Sequence, residues 1–136
     1  MPHSPRFYRG HLFLLDSGTG RLVTIDPKNG SVNTVAVLPG YARGLAFCGQ
    51  FAFVGLSKIR ETSTFGGMPI AEKLGELKFG VWVVDVTTGQ MVATLEFDRA
   101  VEEIFSVTII PGVRFPSVVG FEKDMIHGAF VVPPGT

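Results

Sequence analysis

Cysteine, charge and long apolar runs are all scarce in this chain of 136 residues, and each shortage closes off a class of protein. The single cysteine, Cys48, permits no intrachain disulfide framework, and its place in Leu45-Ala-Phe-Cys48 marks it as a small core residue rather than a reactive thiol. No run approaches the ~18 apolar residues of a membrane helix, and Met1-Pro-His-Ser-Pro-Arg6 lacks the apolar centre of a signal peptide. The expected setting is the cytoplasm, with no membrane partner. Charged residues make up only 18% and cancel, twelve basic against twelve acidic, with no Lys/Arg run. Such a chain lacks the electrostatic footprint of a nucleic-acid binder.

What is abundant is apolar: 46% of the residues are hydrophobic, including twelve Phe. With so little charge to cover a monomer's surface, some apolar surface is expected to meet another chain. The apolar residues are organised by an internal repeat. Leu22-Val-Thr-Ile-Asp-Pro-Lys-Asn-Gly-Ser-Val32 returns as Val81-Trp-Val-Val-Asp-Val-Thr-Thr-Gly-Gln-Met91, with Asp26 to Gly30 spaced as Asp85 to Gly89. Each copy reads as strand, turn and strand, the pattern of the outer hairpin of a β-propeller blade. Leu12 to Leu15, Phe51 to Val54 and Val81 to Val84 are apolar at consecutive positions, so both faces of those strands need cover. Blades packed face to face supply that cover; a one-sided sandwich, the second choice, would alternate more strictly.

The fold expected is therefore all-β, with blades of four antiparallel strands forming one partial propeller over residues 1–136. Strands are predicted at Gly10–Asp16, Arg21–Asp26, Ser31–Leu38, Gly44–Cys48, Phe51–Leu56, Gly80–Asp85, Gln90–Phe97 and Ile104–Ile110. A partial further blade follows at Ser117–Phe121 and Ala129–Val132. Residues 58–79 interrupt the pattern as an inserted loop in which Pro69 to Gly75 could form a short helix. At roughly 40 to 50 residues per blade the chain holds only about two to three blades, so other copies are expected to complete the ring. Three copies are favoured and two are second.

Several stretches together carry a family resemblance: Met1 to Arg6, Leu14-Leu-Asp-Ser-Gly-Thr-Gly20, Leu38-Pro-Gly-Tyr-Ala-Arg-Gly-Leu45, Val54-Gly-Leu-Ser57, Glu102-Glu103 and Ile110-Pro-Gly-Val113. They resemble the C-terminal part of an uncharacterised bacterial β-propeller family, a domain of unknown function of the NHL/gluconolactonase-like kind. The resemblance spans most of residues 1 to 124. It implies a propeller whose members are usually more than twice this length, and it supplies no activity.

Candidate functional residues follow from where a propeller places its innermost strands, along the central channel. Arg43 and Glu103 fall thirteen and fourteen residues after Gly30 and Gly89, each before an apolar strand. With Glu102 they would face the axis near one end, where carboxylates could hold a divalent cation or act as acid and base. The competing reading is a structural Arg–Glu ion pair between blades. His3 and Arg6 are further candidates at the channel mouth, because an imidazole can move a proton near neutral pH. Gly18-Thr-Gly20 and Phe65-Gly-Gly-Met68 lack the strand-loop-helix setting of a phosphate loop, and no metal-ligand spacing or nucleophile elbow occurs. No cofactor is expected beyond that possible divalent cation. The leading functional expectation is a self-assembling propeller module with a small-molecule surface at its channel or rim. The alternative is a metal-assisted hydrolase, lactonase or lyase using channel-mouth carboxylates.

Overall fold

The computed structural model describes residues 1–57, 70, 77–97, 103–114 and 116. They form two four-stranded antiparallel sheets, each running back and forth in chain order, as the sequence pattern predicts. The first holds β1 (Pro2–Tyr8), β2 (His11–Asp16), β3 (Arg21–Ile25) and β4 (Val32–Val37). The second holds β5 (Tyr41–Cys48), β6 (Phe51–Ser57), β7 (Gly80–Asp85) and β8 (Met91–Glu96). Among the described residues no helix is long and apolar enough to cross a membrane.

The two copies of the sequence repeat build the same object. Leu12 pairs with Ile25 in the first sheet as Ala52 pairs with Val84 in the second, which makes Phe13 the counterpart of Phe53 and Ser17 that of Ser57. Both turns after the third strand close alike: the Gly30 N–H donates to the Asp26 carbonyl and the Gly89 N–H to the Asp85 carbonyl, each at 2.8 Å. Positive φ values of 73° and 74° at these glycines put the last turn residue in the left-handed region, which strains any residue with a Cβ.

Successive side chains alternate between faces, and the core shows which faces meet. Phe13, Leu15 and Leu22 of the first sheet pack with Ala52, Val54, Leu56, Trp82 and Val84 of the second. Trp82 is only 3% exposed, packed in the core between the two sheets. The faces in contact are not equivalent. Phe13 looks forward onto the second sheet, while its counterpart Phe53 looks away from the first, so the sheets stack in one direction, head to tail. The sheets meet chiefly where β5, the leading strand of the second, packs on β1 and β2 of the first.

Three expectations need correction. The first strand is β1, upstream of the expected start at Gly10. Pro2, Ser4, Pro5 and Arg6 hide it, yet it pairs with β2 through a bulge between His3 and Arg6. Ile104–Ile110 is not a strand: among the described residues it pairs with no neighbouring strand, and Ile104 and Ser106 lie instead against Gly55 and Gly44 of the second sheet. Cys48 is exposed, because it is the last residue of β5, beside the turn at Gly49 and Gln50. Of the inserted loop, Ile70 is buried and donates its N–H to Gly18 at 3.1 Å, and Lys78 donates to Pro39 at 2.8 Å. The expected helical turns at Pro69–Gly75 otherwise lie outside the described residues, as do the strands expected after Ser117.

Candidate functional site

The antiparallel order puts the 17–20 turn, the Leu38–Gly40 link, the end of β6 and the start of β7 at one rim of the sheets, and four of the five candidate residues can be placed relative to it. His3 and Arg43 lie near the rim ends of β1 and β5, at corresponding positions. Both strands bulge next to them, between His3 and Arg6 and between Ala42 and Leu45, with φ of 51° at Ser4 and 83° at Gly44. The Gly44 N–H donates to the Ser4 hydroxyl at 3.1 Å, so one bulge is stitched to the next.

Two buried serines set the register between neighbouring repeats. The Ser17 hydroxyl donates to the Ala42 carbonyl. Its counterpart Ser57 donates to the Ile104 carbonyl at 3.2 Å and accepts the Ile104 N–H at 2.8 Å. Ile104 therefore takes the place that Ala42 has in the second repeat. It follows that Glu103 matches Tyr41, and that Phe105 matches Arg43 and His3. Arg43 and Glu103 are thus two positions out of step, not the matched pair that counting from Gly30 and Gly89 suggests; the link between β8 and Glu103 is longer than the one between β4 and β5.

That offset is what brings side chains together. Tyr41 reaches back to His3, hydroxyl to Nε2, at 3.3 Å. In the next repeat Glu103 reaches back to Arg43, Oε1 to Nη1, at 2.7 Å. The Arg43 guanidinium also lies over the Phe105 ring, 4.3 Å from its centre. The result is a column of His3, Arg43 and Phe105 with Tyr41 and Glu103 bridging between rows. Arg6 stands apart: it is exposed and donates to the Pro5 carbonyl at 3.2 Å. Glu102 lies outside the described residues.

Electrostatics follow from this packing. The His3 pKa is lowered, first by burial, then by the Arg43 and Met1 cations. Burial raises that of Tyr41, against the opposing pull of Arg43. His3 is accordingly held towards its neutral form, able to share a hydrogen bond with the Tyr41 hydroxyl. At the same rim Asp16 accepts from Thr19 Oγ1 at 2.6 Å and Arg21 Nη2 at 2.8 Å. Burial raises its pKa, but these bonds outweigh it and the net shift is downward. Further along, β1, β5 and Val107 to Ile109 wall a groove of about 310 Å³.

Sequence reasoning missed Tyr41, Ser17 and Ser57. The serines had a signal, since they stand at the same offset in the repeat, at the end of its second strand. Among the described residues no three or more His, Cys, Asp or Glu gather to hold a metal ion.

A family model described as a domain of unknown function, DUF4915, matches residues 1–119. The chain belongs to this DUF4915 family. No curated protein matches it. The DUF4915 match covers both sheets, the His3–Tyr41 and Arg43–Glu103 pairs and the 103–114 segment. It brings no assigned activity and no link to NHL-type propellers.

Proposed function

We propose that this DUF4915 chain is a cytoplasmic, self-assembling β-propeller module whose leading strands wall a channel and offer a small-molecule surface at its rim. The observation that carries this reading is the head-to-tail stacking of two like sheets, continued by residues 103–114 as the start of a third repeat. Stacking of that kind leaves unlike faces at its two ends. Unlike ends associate in closed rings or open filaments, and a closed ring leaves neither end face uncovered. Three copies remain the favoured ring and two the second choice. At the rim, the Arg43 guanidinium, the His3 imidazole and the Tyr41 hydroxyl suit a small molecule bearing an anionic or hydrogen-bonding group. Glu103 is engaged by Arg43, which favours the ion-pair reading over carboxylate-based hydrolysis.

Light scattering at low micromolar concentration tests the proposal. The expected mass is a small multiple of the 14.7 kDa chain. A folded monomer would overturn it.

A further inference from the structure

Phe47 of β5 is the contact through which the second sheet grips the first. Its ring stacks on Tyr8 with centroids 4.5 Å apart and tilts against Phe13 at 4.9 Å. Ala52 and Val84, on the same face of the second sheet, are fully buried beside it. By register the counterparts of these three residues in the first sheet are Phe7, Leu12 and Ile25. Among the described residues nothing comparable covers them: Phe7 is 73% exposed, and Leu12 and Ile25 are half-buried. Leu14 and Val23 on that face are buried, so what stays open is the row at the end away from the site rim. The neighbouring turn tells the same story. A Cβ on Gly89 would lie 2.3 Å from the Val35 carbonyl oxygen, whereas one on Gly30 would meet nothing within 4 Å.

The other end of the stack supplies a matching surface. Ile104 occupies the place of Ala42, and the turn at Pro111-Gly112 begins seven residues later, as Gly49-Gln50 begins seven after Ala42, directly after Cys48, and as Arg9-Gly10 follows Tyr8. Ile110 therefore stands where Tyr8 stands in the first repeat. It too is an exposed apolar side chain, at 54%. Among the described residues the chain thus carries an exposed anchor, Phe7, at one end of the stack and an exposed counterpart of its seat, Ile110, at the other.

We propose that Phe7, with Leu12 and Ile25, docks onto a second copy of this chain at Ile110, repeating between chains the contact that Phe47 makes with Tyr8 within one. This rests on the reading of the chain as an assembling module and names the surfaces that module uses. The contact is head to tail, so each copy uses Phe7 towards one neighbour and Ile110 towards the other.

Thiol cross-linking tests the pairing. Two proteins are made in a Cys48→Ser background, one with Phe7→Cys and one with Ile110→Cys, both at exposed positions. They are mixed, allowed to exchange and treated with a short bis-maleimide. The mixture should give at least ten times more cross-linked dimer than either protein alone. Cross-linking of the Phe7→Cys protein with itself would indicate a two-fold dimer and overturn the head-to-tail assignment. No enrichment in the mixture, with light scattering still reporting an oligomer, would overturn the surface and leave assembly standing. Monomers throughout would overturn both.

Discussion

The turns Asp26–Gly30 and Asp85–Gly89 share their hydrogen bonds and backbone conformation, yet Gly30 is open to solvent while Gly89 lies against Val35 of the preceding sheet. The same contrast separates Phe7 from Phe47 and Leu12 from Ala52. Local structure is therefore set by the repeat itself, while burial is set by whether a neighbour precedes it. The second sheet has that neighbour and the first lacks one among the described residues. Each of its open positions has a worked example of its buried state elsewhere in the same chain.

Substitutions can break this contrast at its strongest point first. Trp82→Ala, in the covered face of the second sheet, should cost about 3–5 kcal/mol in chemical denaturation, because a large side chain leaves a cavity between packed sheets. Gly89→Ala and Gly30→Ala separate the two turns. Gly30→Ala should cost only the left-handed backbone penalty, about 1–2 kcal/mol. Gly89→Ala adds a clash with Val35, worth about 1–3 kcal/mol more. Equal losses would mean that the turns have equal surroundings. Ser57→Ala removes both bonds to Ile104 and should cost about 1–3 kcal/mol, with faster hydrogen exchange at the Ile104 amide.

The smallest effect is on pH dependence. Because the folded His3 pKa lies below its ordinary 6.5, the unfolded chain binds the proton more readily. The His3 contribution is therefore complete above pH 6.5 and is lost as the pH falls from there through the folded pKa. His3→Gln should flatten the stability profile in that window. A profile unchanged by the substitution would show that His3 titrates alike in both states.

The parts of the fold legible in the sequence were those with two signals at once. β2, β3, β6 and β7 combine apolar runs with glycine turns at fixed spacing, and β7 falls at Gly80–Asp85 as expected. β1 was illegible because prolines and a serine bulge suppress its strand pattern, and it becomes a strand only by pairing with β2. In the candidate site, residue types were readable and partners were not. Counting from the turn glycines misplaced Glu103 by two positions because it could not allow for the longer link after β8. His3 with Tyr41, and Ser17 with Ala42, join residues far apart in sequence across the gap between sheets, which no local pattern encodes.

The most direct measurement of the central idea compares the solution mass of the wild-type protein with that of Phe7→Glu, by sedimentation at equal low micromolar concentration. Phe7 contributes nothing to the first sheet's buried core, so the variant should keep its β-sheet circular dichroism while its mass falls to that of a single chain. A variant that sediments like the wild type, whether both are oligomers or both are monomers, would contradict the account.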